Sequence, residues 1–317
     1  MDRIKPFIGE DNIYVVTVAS HAEDLAAQLP DLPRENIIVE PMGRNTAPCI
    51  GLASLYLKKK NPEDTMVVLP ADHLITEEEK FIETLSAAGE MAQRTSSLIT
   101  IGITPTGPET GYGYIEKGER VGTAQGRDIY GVKSFREKPD AKTADVFFKD
   151  GGFFWNSGMF IWKVSTILEE IKGLLPDLYG ALLEMETSIG SSREKERISQ
   201  VYQEVKPVSI DYGVMEKADN VLLIKGNFGW SDIGSWDALW EILDKDRDAN
   251  AVIGSHISVD SSENLVYSPG KLVSLVGVKD LIVVETEDSI MICRRGASQD
   301  VKRAVEILEE KKMEDYL

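Results

Sequence analysis

An α/β fold on a mixed, mostly parallel sheet, followed by a small β-rich tail ending in a helix, is what this sequence predicts. Two observations carry the first part. Short apolar, β-branched runs recur through the first hundred residues, and helical patterns of crossover length separate them. A third observation carries the tail: after the charged stretch Asp244-Lys-Asp-Arg-Asp248, which reads as a linker, short β-rich runs follow one another with no helix between them until the end. The boundary is therefore expected near residue 248, giving a domain of residues 1–248 and a tail of 249–317.

The elements follow in order. Ile13–Val18 reads as a buried strand, His21–Leu29 as a short helix and Asn36–Glu40 as a second strand. Asn45–Lys60 reads as a helix with Asn45 or Thr46 as its cap and Pro48 tolerated in the first turn. Met66–Leu69 is the third strand, Glu77–Arg94 a long helix and Leu98–Ile103 a fourth strand. The middle is less regular. Strands are expected at Gly111–Glu116, Ile129–Phe135, Phe153–Trp162 and Val221–Lys225, and helices at Ala141–Lys149, Ser165–Lys172, Arg193–Tyr202 and Ser235–Leu243. Tail strands are expected at Val252–Val259, Leu265–Tyr267, Leu272–Val276, Leu281–Glu285 and Ile290–Cys293, then a helix over Ala297–Lys312. Their spacing is too irregular to predict a solenoid.

Composition limits the partners. With Lys+Arg 35 against Asp+Glu 53, the 317-residue chain carries a net charge of −18, which disfavours wrapping nucleic acid. A nucleotide substrate remains open, since one phosphate cluster needs only local cations, amides or a metal. Two cysteines without Cys-x-x-Cys spacing and three unclustered histidines indicate neither a disulfide scaffold nor a zinc site. No apolar run is long enough to span a bilayer and no signal peptide opens the chain, so the expectation is a cytoplasmic protein without a membrane partner.

Chemistry is expected beyond the carboxyl ends of the strands, where open α/β sheets collect ligands. Asp72, in Leu69-Pro-Ala-Asp-His73, stands at such an edge and can either hold Mg²⁺ or close a turn. Asp232, in Trp230-Ser-Asp-Ile-Gly234, can join it as a second metal carboxylate or cap the following helix. The glycines of Gly111-Tyr-Gly-Tyr-Ile-Glu116 let a backbone approach a ligand. Phe135-Arg-Glu-Lys-Pro139 sets a carboxylate suited to sugar hydroxyls beside a cation suited to phosphate. Trp155-Asn-Ser-Gly-Met-Phe160 sets an amide that both donates and accepts among aromatics.

Taken in order, these segments, together with Glu40-Pro-Met-Gly-Arg-Asn-Thr-Ala-Pro48 and Ile210-Asp-Tyr-Gly-Val-Met-Glu216, resemble the mannose-1-phosphate guanylyltransferases from about residue 12 onward. Asn45-Thr-Ala-Pro48 combined with Trp155-Asn-Ser-Gly158 favours the mannose, GTP-using branch over other sugar-1-phosphate nucleotidyltransferases. The resemblance implies a Rossmann-like nucleotide-diphospho-sugar transferase fold. It also implies that Asp72 and Asp232 hold a catalytic Mg²⁺, that Asn45 and Thr46 lie by the nucleotide, and that Gly113 and Glu116 form the sugar-side loop. Glu137 would read sugar hydroxyls, Lys138 would face the sugar phosphate as a catalytic cation, Asn156 would reach the sugar, and Asp211 and Glu216 would line the same cleft. GTP and mannose 1-phosphate are the implied substrates.

One family segment has no counterpart. The opening strand and its loop of the type Gly-Gly-x-Gly-x-Arg-x-x-Pro, which wraps nucleotide phosphates, are not matched, leaving roughly fifty residues of a βαβ opening unaccounted for. The expectation is an N-terminally incomplete fold, with GDP-mannose synthesis by this chain far below about 10 per second. A sheet lacking its first strand also exposes edges, so self-association, as a homodimer, is one expected outcome. The alternatives are a non-catalytic short homologue that retains the sugar-phosphate half-site or acts as a subunit, and another sugar-1-phosphate nucleotidyltransferase.

Overall fold

Period-two alternation decides how the first part of the molecule packs. A computed structural model describes residues 1–316. Along β5 (Leu98–Ile103), Leu98 enters one apolar cluster while Ile99, Ile101 and Ile103 enter another on the opposite face. Along β8 (Phe153–Lys163), Phe154, Phe160 and Trp162 share the first cluster, and Trp155, Met159 and Ile161 the second. A strand whose residues are buried on both sides must lie in the middle of three layers.

The chain forms two compact units: Met1–Ala71 with Ile75–Trp230, and Asp72–Leu74 with the residues from Ser231 onward. In the first unit, β1 (Val15–Val18) and β2 (Ile37–Glu40) pair in parallel. The main sheet adds β3 (Thr65–Val68), β6 (Tyr114–Ala124), β7 (Arg127–Arg136) and β9 (Val221–Gly226), in the order β3-β8-β5-β9-β7-β6, and β6 also pairs with β8. It is a mixed sheet. β3, β5, β9 and β6 point one way, and β7 and β8 the other, so β5–β9 is its one parallel ladder. Strand direction is set by tertiary pairing, and the reversed β8 lies between β3 and β5.

Helices cover both faces. α2 (Thr46–Lys60), α5 (Val164–Leu174), α6 (Pro176–Glu186) and α7 (Glu194–Glu204) supply Leu52, Ile167, Leu182 and Tyr202 to the first cluster. α3 (Glu78–Thr95) places Phe81, Leu85, Ala88 and Ala92 on one stripe and closes the second, and Ala144 and Phe147 of α4 (Ala141–Asp150) reach it too. The short α1 (Ala22–Gln28) lies between β1 and β2 in sequence. α6 has no counterpart among the helices expected from the sequence: its proline occupies the first helical turn, where no amide is needed. Two-residue strands β4 (Leu74–Ile75) and β10 (Trp230–Ser231) complete the elements up to the tail.

In the second unit, α8 (Trp236–Ile242) is capped by Ser235, whose Oγ accepts from Ala238 N at 3.1 Å. β11 (Ala251–Val259), β12 (Leu265–Val276) and β13 (Leu281–Glu285) then stack in parallel, and β14 (Ile290–Arg294) returns antiparallel. α9 covers only Val301–Glu310, shorter than expected. Two corrections follow. The tail does coil repeatedly, with Ala251 over Leu265 over Ile282; successive coils differ in length, which hides the period from the sequence. The charged stretch is also no free linker. Asp246 Oδ1 accepts from Asn250 N at 2.8 Å, and Asn250 Oδ1 accepts from Asn264 Nδ2 at 2.9 Å. Asn264 Oδ1 in turn accepts from Leu281 N at 2.9 Å, so a buried amide ladder joins the coils.

Candidate active site

Four separate stretches of the first unit converge on one carboxylate. Glu137 follows β7 directly, its side chain 12% exposed, with Oε1 3.3 Å from Lys138 Nζ and Oε2 buried without a hydrogen-bond partner in the protein. Its backbone N donates to Glu216 Oε1 at 3.2 Å. Gly113, just before β6, leaves room for it: a side-chain carbon there would collide with Glu137 Oε2 and sit 3.3 Å from Asn156 Cβ.

Asn156 arrives through an irregularity. The β5–β8 register shifts between Thr100 and Gly102, and the extra β8 residues bulge around Gly158, whose φ is +68°. Gly158 N folds back to donate to Asn156 Oδ1 at 3.1 Å, and Thr100 Oγ1 donates to the same oxygen at 3.4 Å. That spends the oxygen and aims the amide nitrogen, which donates to Asp211 Oδ1 at 2.8 Å. Bulges of this kind re-aim a side chain. Asp211 itself opens a π-helical turn, Asp211–Met215, an irregularity frequent at functional sites. Lys138 adopts φ +43° without being glycine, a strain of about 1–3 kcal/mol.

The electrostatics are unusual for carboxylates. Burial, then the neighbouring Asp211 charge, raises the Glu137 carboxyl above the ordinary range, with Lys138 opposing. Burial likewise raises Asp211, opposed by the Asn156 bond and by Lys138. A carboxyl that binds its proton more tightly folded than unfolded favours the fold at low pH, and that contribution is lost as pH rises through the raised value. Stability of the first unit is therefore expected to fall as pH rises above the ordinary carboxylate range, and Glu137→Gln to flatten that fall. Thermal melts of both proteins across this window check it; an identical slope contradicts the assignment.

The expected nucleotide-side residues sit at the start of α2. Asn45, at φ +70°, caps the helix with its side chain accepting from Thr46 N at 2.8 Å. Thr46 Oγ1 accepts from Ile210 N at 2.8 Å, and Ala47 N donates to Val208 O at 3.0 Å. Pro48 has no N–H, so the first three positions of this helix offer a phosphate no free amide. Glu116 goes elsewhere: its Oε2 accepts from Ser134 Oγ at 2.9 Å and its Oε1 lies 3.8 Å from Lys133 Nζ, both within the β6–β7 hairpin.

Asp72 and Asp232 belong to the second unit. The Asp72 side chain is 84% exposed, with His73 Nε2 3.9 Å away. Asp232 Oδ1 accepts from Gly234 N at 2.9 Å across a turn whose middle residue, Ile233, holds φ +48°, a rare position for a β-branched side chain. Ser235 rather than Asp232 caps α8. Among the described residues, no cluster of three or more His, Cys, Asp or Glu side chains is arranged to hold a metal ion. Asp72 is exposed and Asp232 half-buried.

Sequence reasoning missed an aromatic wall beside Gly113, where Tyr112 packs edge-on to Trp155 (4.8 Å) and to Trp230 (5.3 Å). It also missed a buried network around Glu40. A glutamate closing an apolar strand run was the available signal for the latter.

The fold is a three-layer α/β domain whose mixed sheet carries this carboxylate cluster at the end of β7. Residues 7–249 match the nucleotidyl transferase family and residues 254–308 the MannoseP isomerase/GMP-like beta-helix domain. The chain belongs to the nucleotidyl transferase family, whose members generally depend on a divalent metal. It is 39% identical over 296 residues to a mannose-1-phosphate guanylyltransferase of Salmonella montevideo, covering 92% of this chain and 62% of that protein. A relative of the same description from Escherichia coli K12 is 39% identical over 297 residues, covering 92% and 62%. The chain thus spans less than two thirds of the length of these curated relatives. A solved structure from Thermus thermophilus, described as a mannose-1-phosphate geranyltransferase, superposes with a TM-score of 0.83 at 31% identity, covering 97% of this chain and 87% of that one. Among the described residues, no helix is long and apolar enough to cross a membrane.

Proposed function

We propose that the chain acts in mannose-1-phosphate guanylyltransferase chemistry, supplying the groups that bind and orient mannose 1-phosphate for GMP transfer from GTP. The observation that carries this reading is Glu137: a desolvated carboxylate with one oxygen unsatisfied, next to a strained lysine. A buried acceptor without a partner costs free energy unless a ligand donor satisfies it, and sugar hydroxyls are such donors. Lys138, its Nζ 3.3 Å from Glu137 Oε1, supplies the positive charge for the sugar phosphate. Asn156, Asp211 and Glu216 line the sugar side of the cleft, and Gly113 admits the sugar close to the backbone. Glu116 acts one step removed, holding the hairpin that carries Glu137.

In the reaction, a phosphate oxygen of mannose 1-phosphate forms a bond to the α-phosphorus of GTP. The bond from that phosphorus to the bridging oxygen breaks, and pyrophosphate leaves with the electron pair. The attacking phosphate is already ionised, so positioning and charge neutralisation serve instead of a base. Asn45 and Thr46 would contact the nucleotide through side chains, given that the helix amides are occupied. Asp72 and Asp232 would hold Mg²⁺, which when bound neutralises phosphate charge. We further assign residues 1–248 to the transferase domain and 249–317 to the tail, and place the protein in the cytoplasm, self-associating as a homodimer.

Competition among substrates tests the reading. With Mg²⁺ present, product is expected to form fastest from GTP among the nucleoside triphosphates and from mannose 1-phosphate among hexose 1-phosphates, read by chromatography of the sugar nucleotide. Preference for UTP or for glucose 1-phosphate contradicts it. Gly113→Ala gives a sharper check on the cluster. The added methyl meets the far end of the Glu137 side chain, which can swing away, so the melting temperature should stay within a few degrees while mannose 1-phosphate affinity drops about tenfold. An unchanged affinity would separate Glu137 from the sugar.

A further inference from the structure

Glu40 ends β2 only 6% exposed, and nothing in the proposed reaction uses it. Its Oε1 accepts a hydrogen bond from the Tyr202 hydroxyl at 2.8 Å, and the Cys49 thiol bonds to the same carboxylate. Burial, then the Glu40 charge, pushes Cys49 up to about 12, so the sulfur keeps its proton and remains a donor. Tyr202 is fully buried, its hydroxyl also 3.2 Å from Pro48 O. A buried carboxylate is expensive, and an apolar side chain of similar size would pack there at least as stably. What the carboxylate adds is direction.

The bonds around it form a closed path. Tyr202 O accepts from Arg44 Nε at 3.2 Å, and Gln203 O from Arg44 Nη2 at 3.0 Å. Arg44 O accepts from Val208 N at 3.3 Å, and Val208 O from Ala47 N at 3.0 Å. Thr46 Oγ1 accepts from Ile210 N, and the next residue is Asp211, which takes the Asn156 amide. The loop between β2 and α2 is thereby stitched to the end of α7 and to the segment entering the π-helical turn.

We propose that Glu40 is a positioning residue which, through Tyr202, fixes the Asn45–Thr46 segment and the Asp211 turn relative to each other, so that the nucleotide-side and sugar-side groups are set as one unit. The assignment of those two sides rests on the function proposed above.

Three variants of the full chain test it: Tyr202→Phe, which keeps the ring, Glu40→Leu, which restores apolar packing, and Glu40→Gln, whose amide oxygen still accepts from Tyr202. Amide hydrogen exchange at Ala47, Val208 and Ile210 is expected to quicken at least about tenfold in Tyr202→Phe and Glu40→Leu, and less in Glu40→Gln. Calorimetric Kd values for mannose 1-phosphate and for GTP should both rise about tenfold, with the melting temperature of Glu40→Leu unchanged or higher. A purely structural role would instead lower the melting temperature and leave both Kd values alone, and that result overturns the proposal. Unchanged exchange at Ala47 and Ile210 overturns it equally. If the unmodified chain binds neither ligand, the functional reading fails separately, and exchange still decides whether Glu40 couples the two segments.

Discussion

Glu137→Gln should weaken mannose 1-phosphate binding roughly tenfold to hundredfold while leaving the melting temperature unchanged or raised. The loss follows from the strength of hydrogen bonds to a charged acceptor, about 1.5–3 kcal/mol. The gain follows from the protein's side of the exchange. Glu137 Oε2 is buried without a partner, and Asp211 and Glu216 crowd the same space with like charge. Neutralising the carboxyl relieves the like-charge crowding and the cost of a buried charge, so stability and binding move in opposite directions, as expected where a site stores strain for a ligand. Calorimetric titration and thermal melts on the same two samples read both quantities. A variant that loses stability and keeps its affinity would make Glu137 a structural residue.

The second large effect lies in the tail. Gly254 holds φ +119°, a backbone state L side chains rarely reach, at the point where the β11–β12 register shifts. A methyl there would overlap the Ser268 carbonyl oxygen and come within 2.7 Å of its carbon, and backbone cannot swing aside. Gly254→Ala should cost roughly 2–5 kcal/mol, enough to open the coil. Limited proteolysis should then cut within Ala251–Val276 while peptides of the six-stranded sheet stay protected. A variant as resistant as the parent would refute this account of the bulge. The tail has its own acid limit as well. Lys271 and Ser268 bond to Glu285 and hold its carboxyl near about 2, a contribution present above the unfolded value and lost as pH falls toward that figure.

Much of this molecule was legible in advance, and the reasons differ by element. β5 falls on Leu98–Ile103 as expected, because a continuous apolar run between turn residues admits few other states. β8 was visible as a strand, yet its reversed direction depends on partners distant in sequence. Leu265–Val276 reads as two strands because Pro269-Gly270 interrupts the pattern, whereas in the fold they sit inside one long strand at its corner. The site divides similarly. Glu137, Lys138 and Asn156 stood out as polar groups in unusual contexts, Asp211 and Glu216 through the family resemblance alone, and the fold brings them together. Glu116 also entered through the resemblance, and it pairs with Ser134. No pattern could announce that Tyr202 bonds to a residue so far along the chain, since that contact exists only once α7 packs on β2 and α2.

The most direct measurement is a calorimetric titration of mannose 1-phosphate into the purified chain, run beside glucose 1-phosphate and the Glu137→Gln variant. Saturable binding that favours mannose 1-phosphate and weakens at least tenfold in the variant is the predicted result. No saturable binding, or a Kd indifferent to Glu137, would contradict the assignment of this cluster to the sugar phosphate.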